Sequence, residues 1–116
     1  KSNEMYYQEG LSFQQDEDYA EAIASYEKVD ESFDSYEKVR ENLDICRSRY
    51  CVGVLDHAQD LLVRGRTEDA LEALCQSLQI LGDNEDIKNA IKTIGTSKNK
   101  KKIELDLPEG KEEYSQ

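Results

Sequence analysis

The sequence predicts an all-α fold of about five helices, one of which is long and central. Apolar residues recur at steps of three and four through most of the chain, which is the spacing of one face of an α-helix. The chain is rich in Leu, Glu and Lys and contains one Pro, so few positions interrupt a helix. Gly and Asp residues separate the periodic segments, where helices are expected to begin and end.

The first two helices are predicted at residues 3–15 and 19–33. Ser2 or Asn3 can cap the start of the first helix. A short acidic turn follows, and we expect Asp18 at its end to cap the second helix with its carboxylate. Because the connection is so short, the two helices must be antiparallel and pack on each other.

The next segment, residues 35–64, is predicted to be one continuous helix of about 28 residues, roughly 42 Å long at 1.5 Å per residue. It contains no Pro, and Gly53 is its only internal Gly. That glycine costs about 1 kcal/mol relative to Ala. The predicted apolar seam of this helix comprises Tyr36, Val39, Leu43, Cys46, Tyr50, Val54, His57 and Leu61.

The long helix is expected to stop at Gly65, which can adopt a left-handed conformation. Thr67 is then expected to cap a helix that runs through Leu81. A last amphipathic helix is predicted at residues 85–94, closed by Gly95.

We therefore predict a helical domain over residues 1–95 and a polar, charged C-terminal tail over residues 96–116. Within the tail, apolar and acidic residues alternate from Ile103 to Leu107, and Pro108 stops the pattern. A single strand of this length is not stable by itself. The strip at residues 103–107 is expected to dock on this chain or on a neighbouring one.

Residues 5–34 and 54–82 share a pattern of small and large residues that resembles the tetratricopeptide repeat (TPR), a helical hairpin of 34 residues. In the first copy the motif positions are Tyr6, Gly10, Phe13, Ala22, Tyr26 and Asp34, with Tyr6 and Asp34 standing where Trp and Pro are usual. In the second copy they are Val54, His57, Ala58, Leu61, Ala70, Leu74 and Gly82. The resemblance implies a right-handed superhelix of helical hairpins.

The spacing between the copies departs from the family. Ala22 and Ala70 lie 48 residues apart, 14 more than one repeat. Fourteen residues lengthen a helix by about 21 Å without turning its apolar face away. The extension, roughly residues 35–49, is expected to cover the first hairpin, to meet another subunit, or both.

The resemblance implies a protein-interaction module that binds a peptide or protein in a groove lined by first helices. The partner-binding candidates are Tyr7, Leu11, Tyr36, Arg40 and Arg47. A subset of the family grips C-terminal carboxylates with Lys and Asn on these helices, whereas this chain has Tyr7 and Leu11 there. Such a clamp is therefore not expected. The alternative function is a structural or oligomerisation segment of a larger protein, which forms a homodimer through the long helix.

The charge of the chain limits its partners. A net charge of −11 disfavours nucleic-acid binding and favours basic protein partners. A basic cluster at Lys98, Lys100, Lys101 and Lys102 is interpreted as a solvated linker. No apolar run approaches the ~20 residues of a membrane span, so direct membrane insertion is not expected.

No residue pattern specifies catalysis, a cofactor or a metal, and the prediction is a non-enzyme. His57 is the only histidine, which argues for a core residue over a metal ligand. The acidic turn lacks the order of a calcium loop, and phosphate-binding glycine loops are absent. The carboxylates are interpreted as helix caps and solubilising charges.

The three cysteines, Cys46, Cys51 and Cys75, are interpreted as buried thiols in a reducing compartment, because Cys46 and Cys51 lie five residues apart on one predicted helix. The prediction for location is therefore cytoplasmic. The alternative is a soluble domain of a membrane-anchored or cell-envelope protein, since the sequence begins without Met.

Overall fold

The computed structural model describes residues 1–97 and 103–108. In these ranges the regular secondary structure consists of five helices, which confirms the predicted all-α class. The helices are α1 (Asn3–Gln15), α2 (Tyr19–Glu27), α3 (Tyr36–Val63), α4 (Thr67–Leu81) and α5 (Glu85–Thr96). The basic cluster predicted at residues 98–102 lies outside the described residues.

The chain divides into two compact units, Lys1–Tyr50 and Cys51–Gln116. The boundary falls inside α3, so this helix contributes residues 36–50 to the first unit and residues 51–63 to the second. The predicted long helix of about 28 residues is confirmed at 28 residues. The predicted boundary at residue 95 between a helical domain and a tail stays a prediction.

The first unit contains α1, α2 and the first half of α3. The hydroxyl of Ser2 accepts a 3.2 Å hydrogen bond from the Met5 N–H, as its predicted role as an N-cap requires. Asp18 occupies the N-cap position of α2, but its carboxylate makes no capping bond, and its backbone carbonyl accepts from Ala22. The buried residues of the unit are Gly10, Ala22, Ile23, Ser25, Tyr26, Val29, Val39 and Cys46.

The prediction that α2 extends to residue 33 is wrong, because α2 ends at Glu27. Local hydrogen bonds compete with the helix after that point. The Asp30 carboxylate accepts from the Ser32 N–H at 2.8 Å, while the Asp30 N–H donates to the Asn3 side chain at 2.9 Å. The backbone of Asp30 is thereby fixed against the start of α1.

The first half of α3 contacts both helices of the first hairpin. The Gln14 amide on α1 donates to Asn42 at 3.2 Å, and Arg49 donates to the Tyr19 hydroxyl on α2 at 3.0 Å. Arg47 forms an ion pair with Glu27 on α2. The predicted extension over residues 35–49 therefore covers the first hairpin, which is the first of the two roles expected for it.

The second unit is built on the second half of α3, α4 and α5. Its buried apolar residues are Cys51, Val52, Leu55, Ala58, Leu61, Ala70, Leu74, Leu81, Ile87, Ala90 and Ile94. His57 is exposed, so its predicted place on the apolar seam is wrong. A neighbouring face of α3 through Leu55 and Ala58 is apolar, and burying that face leaves the imidazole in water.

Three boundaries of the second unit test the predicted caps. Gly65 has the predicted positive φ, at 77°. Arg66, and not Thr67, is the N-cap residue of α4. Gly95 lies inside α5, which continues to Thr96, so its predicted role as a helix stop is wrong. α5 begins at an unpredicted cap, where the Asn84 side chain accepts from the Ile87 N–H at 2.9 Å.

Candidate functional site

The five predicted partner-binding residues all lie in the first unit, on α1 and α3. Tyr7 is half-buried on α1, with its ring centroid 5.6 Å from that of Phe33 and 6.4 Å from that of Tyr26. Leu11 follows one turn later and is also half-buried. Because residues four apart share one face of a helix, Tyr7 and Leu11 form a partly accessible apolar strip along α1.

The three candidate residues on α3 differ in exposure and in their contacts within the unit. Tyr36 is half-buried, and Arg40, one turn further along, is exposed. Arg47 is half-buried and already pairs with Glu27, so its charge is largely neutralised within the unit. Tyr36 and Arg40 thus present a ring and a cation on one side of α3, while Arg47 serves the contact with α2.

A polar network connects the three helices next to this surface. The Tyr26 hydroxyl donates to Gln14 at 2.6 Å, Gln14 donates to Asn42 at 3.2 Å, and Asn42 donates to the Lys38 carbonyl at 2.9 Å. Burial raises the pKa of Tyr26 well above its usual value, so the hydroxyl stays protonated and able to donate. Gln14 lies three residues after Leu11, so the network holds α1 and α3 together beside the apolar strip.

In the second unit, the strip at residues 103–107, which is expected to dock on this chain or on a neighbouring one, contacts Gln59, a residue that was not among the predicted sites. The side-chain amide of Gln59, half-buried on α3, donates to the Ile103 carbonyl at 3.0 Å and accepts from the Leu105 N–H at 2.7 Å. Residues 103–108 have no regular secondary structure, and Pro108 is buried. One side chain therefore satisfies two backbone groups of a segment that lies 44 and 46 residues away in sequence.

The geometry of the Gln59 contact corresponds to one step of a parallel β-ladder. In such a ladder one residue donates to a carbonyl and accepts from an N–H two residues further along the neighbouring strand. The Gln59 amide supplies both groups to Ile103 and Leu105. The side chains of Ile103 and Leu105 are half-buried, whereas Glu104 between them is exposed, as the alternation of an extended chain requires.

A sequence signal for Gln59 exists in the repeat offset. Ala22 and Ala70 are 48 residues apart, and the same offset applied to Leu11 leads to Gln59. Leu11 is a predicted partner-binding position, and the residue 48 positions later is the one that hydrogen-bonds to the backbone of residues 103 and 105. The same offset applied to Tyr7 gives Leu55, which is fully buried.

The three thiols differ in their surroundings. Burial raises the pKa of Cys46 to about 11, so this thiol is protonated and unreactive at neutral pH. Cys51 is buried and donates to Asn84 at 3.8 Å, whereas Cys75 is exposed, which corrects the expectation of three buried thiols. Among residues 1–97 and 103–108, no group of three or more His, Cys, Asp or Glu side chains is placed to hold a metal ion.

No family model, curated protein or solved structure matches this chain. Across the described residues, no helix combines the length and the apolar character needed to span a bilayer.

Proposed function

We propose that this chain is a protein-interaction module of TPR-like helical hairpins that binds an extended peptide segment of a partner protein. The observation that carries the proposal is the contact of Gln59 with the backbone of residues 103–105. Gln59 is related to Leu11 by the 48-residue offset that relates the two hairpins. By this offset, Leu11 marks the position on the first hairpin where we propose that an extended segment of a partner binds, and backbone hydrogen bonds with alternate side-chain contacts are a common mode of such recognition.

The first unit supplies the surface for the partner in this proposal. Tyr7 and Leu11 offer an apolar strip on α1, and Tyr36 and Arg40 offer a ring and a cation on α3. A Tyr side chain provides a large contact area at a low cost in side-chain entropy, which makes it effective in an interface. The chemistry is binding through shape and apolar contact, without a reaction.

The charge of the first unit indicates the character of the partner. Residues 1–50 contain thirteen Asp or Glu and six Lys or Arg, which gives this unit a net charge of −7 out of −11 for the whole chain. A field of this sign attracts a basic segment and accelerates its association. We therefore propose a partner segment in which apolar residues are flanked by Lys or Arg.

The buried thiols bear on location. Cys46 and Cys51 are both buried in the core, and buried thiols of this kind suit a compartment where thiols remain reduced. We place the module in the cytoplasm on this ground.

The proposal is tested by selecting peptides that bind the full chain from a displayed library of random sequences. We expect selected peptides to be enriched in Lys or Arg beside apolar residues. Tyr7→Ala and Leu11→Ala should each weaken their binding at least about tenfold, which corresponds to about 1.4 kcal/mol. Met5→Ala is the matched control, since Met5 lies on the same helix and is 52% exposed; it should bind like the wild type.

Two further measurements make the test decisive. Far-UV circular dichroism must show unchanged helicity for both variants, so that a loss of binding reports the surface and not unfolding. The affinity should also fall as salt rises, since exposed charges steer the partner. Selected peptides that bind Tyr7→Ala and Leu11→Ala as tightly as the wild type would exclude the first unit as the binding surface.

A further inference from the structure

We infer that the α3 surface around Gln59 is a second peptide-binding site, and that residues 103–108 fill it in cis as a built-in competitor of an external segment. The ligand class is an extended peptide with apolar residues at alternate positions and a proline after them. This inference rests on the proposed function, because it treats the Gln59 surface as a site and the tail as its ligand. It names the ligand pattern and adds a means of regulation.

The hydrogen bonds at Gln59 have the form of peptide recognition. Both bonds go to backbone atoms, the Ile103 carbonyl at 3.0 Å and the Leu105 N–H at 2.7 Å. Gln has one amide acceptor and one amide donor group, and this contact uses both on consecutive groups of one segment. A contact that reads only the backbone accepts any extended chain, so an external segment can form the same pair of bonds.

The side chains of the segment supply the selectivity. Ile103 and Leu105 are half-buried and Pro108 is buried, while Glu104 and Asp106 are exposed. Pro108 has no N–H to satisfy, so its burial leaves no backbone donor without a partner. The ligand pattern is therefore two apolar residues at alternate positions, with solvent-exposed positions after each of them, and a proline five residues after the first apolar position.

The covalent connection makes the cis segment a strong competitor. A segment joined to its own site by a short linker acts at an effective concentration in the millimolar range. An external peptide with the same contacts must exceed that concentration, or make additional contacts, to displace it. The site is therefore closed to weak ligands and opens to a partner that binds more extensively.

The first test measures the cis contact in the full-length chain. Hydrogen exchange of the Leu105 amide, followed by NMR, should be slowed in the wild type. Gln59→Ala should remove this protection, and Ala is compatible with the helix. Gln76→Ala is the matched control, because Gln76 is an exposed helical glutamine on α4. Unprotected Leu105 in the wild type, or protection that survives Gln59→Ala, overturns the inference.

The second test measures competition with a defined probe. The probe is a fluorescent peptide with the sequence of residues 103–108 and blocked ends. Leu105→Pro in the full chain removes the N–H that donates to Gln59 and places the proline ring there instead. Residue 105 lies outside the helices, so the proline does not break one. We expect this variant to bind the probe at least tenfold more tightly than the wild type does.

Controls assign that binding to Gln59. The double variant Gln59→Ala with Leu105→Pro should lose the gain in affinity, while Gln76→Ala with Leu105→Pro should keep it. A probe with Pro in place of its Leu105 equivalent should not bind. Equal affinity of Leu105→Pro and wild type, or retained affinity in the Gln59→Ala double variant, overturns the inference.

Sedimentation distinguishes the source of the occupant. A wild-type dimer that Leu105→Pro converts to a monomer would mean that a second copy supplies the segment, and this overturns occupation in cis. The outcome is also independent of the first unit. If the Gln59 variants behave as expected while Tyr7→Ala and Leu11→Ala still bind the selected peptides, the first-unit surface is excluded and this inference stands. If the Gln59 variants do not behave as expected while Tyr7→Ala and Leu11→Ala lose binding, this inference is overturned and the first-unit surface stands.

Discussion

Replacing Gly10 with Ala tests the close contact between α1 and α2 on which the first unit depends. A Cβ atom at position 10 would lie 2.5 Å from Cδ1 and 2.8 Å from Cζ of the Tyr26 ring. Neither distance is tolerated between carbon atoms without a shift of the ring or the helix. The ring has little room to move, because Tyr26 is 1% exposed and its hydroxyl donates a 2.6 Å hydrogen bond to Gln14.

The magnitude follows from two opposing effects. Adding a methyl group to a packed core costs about 1–3 kcal/mol. Replacing a glycine inside a helix with alanine gains about 0.5–1 kcal/mol. Because the contacts with the Tyr26 ring are shorter than 3 Å, the cost lies in the upper part of that range, about 2–3 kcal/mol, and we expect Gly10→Ala to lower the free energy of unfolding by about 1–2.5 kcal/mol. If the ring shift also breaks the Tyr26–Gln14 bond, a further loss of about 1 kcal/mol follows.

Gly53→Ala provides the matched control. Gly53 also lies inside a helix, but no atom is within 4 Å of where its Cβ would be. Only the gain in helix propensity remains, so this variant should be more stable than the wild type by about 0.5–1 kcal/mol. The same substitution at two helical glycines is thus expected to change stability in opposite directions.

Urea unfolding followed by far-UV circular dichroism measures both variants. Adding Tyr26→Leu should reduce the cost of Gly10→Ala, because the smaller side chain leaves space for the methyl group, and the double-mutant cycle isolates this coupling. If Gly10→Ala is as stable as the wild type, or if its cost is unchanged by Tyr26→Leu, the contact is not the reason for a glycine at position 10.

Three further predictions address the second unit, the thiols and assembly. Asn84→Ala should cost about 1 kcal/mol in urea unfolding through loss of the α5 cap, whereas Asn89→Ala, an exposed helical control, should not be destabilising. At pH 8 a thiol reagent should react quickly with Cys75 alone, since the other two thiols are buried. Fast reaction of all three cysteines would contradict the burial of Cys46 and Cys51. Burial raises the pKa of Cys46 to about 11, so as the pH rises the unfolded chain loses the thiol proton before the folded chain does. The free energy of unfolding should therefore fall between about pH 9 and 11, and Cys46→Ala should lessen that fall. The full chain should sediment as a monomer at all concentrations, since α3 already covers the first hairpin; a concentration-dependent dimer would favour the oligomerisation function.

The sequence was sufficient for the helices that long apolar periodicity specifies. α1 and α3 have the predicted extents, and α3 was predicted because apolar residues continue at steps of three and four without a Pro. The end of α2 was not predictable in this way, since the apolar spacing continues to Phe33. In the segment that follows, the Asp30 side chain accepts a hydrogen bond from the backbone two residues later, and such local bonds leave no periodic trace in the sequence.

The orientation of α3 in the second unit illustrates a different limit. Apolar residues occupy two neighbouring faces of this helix, one that includes Tyr50 and Val54 beside His57 and one through Leu55, Ala58 and Leu61. Periodicity alone does not choose between adjacent apolar faces. The structure buries the face without a histidine, which keeps His57 hydrated and avoids the cost of burying an imidazole without a partner.

Gln59 was missed for a physical reason. Gln59 lies between buried Ala58 and exposed Asp60, at the border between the buried and the exposed face of α3. A glutamine at such a position is expected to hydrogen-bond to water. Its two hydrogen bonds go to residues 44 and 46 positions later, and no local pattern encodes a contact over that distance. The repeat offset of 48 residues is the one signal that points to it, because it transfers the predicted role of Leu11 to this position.

Under the proposed function, the difference between Leu11 and Gln59 determines what each position recognises. The Leu11 side chain has no hydrogen-bonding group, so this position would select a partner only by the size and shape of an apolar side chain. Gln59 pairs with a carbonyl and an N–H, groups that nearly every extended peptide presents, so selection in the second unit depends on the side chains around that pair. In that proposal, two positions that the 48-residue offset relates would recognise side chains in the first unit and backbone in the second. A partner that engages both needs an apolar cluster for the first unit and a separate extended stretch for the second, and a peptide with only one of these features should depend on one unit alone.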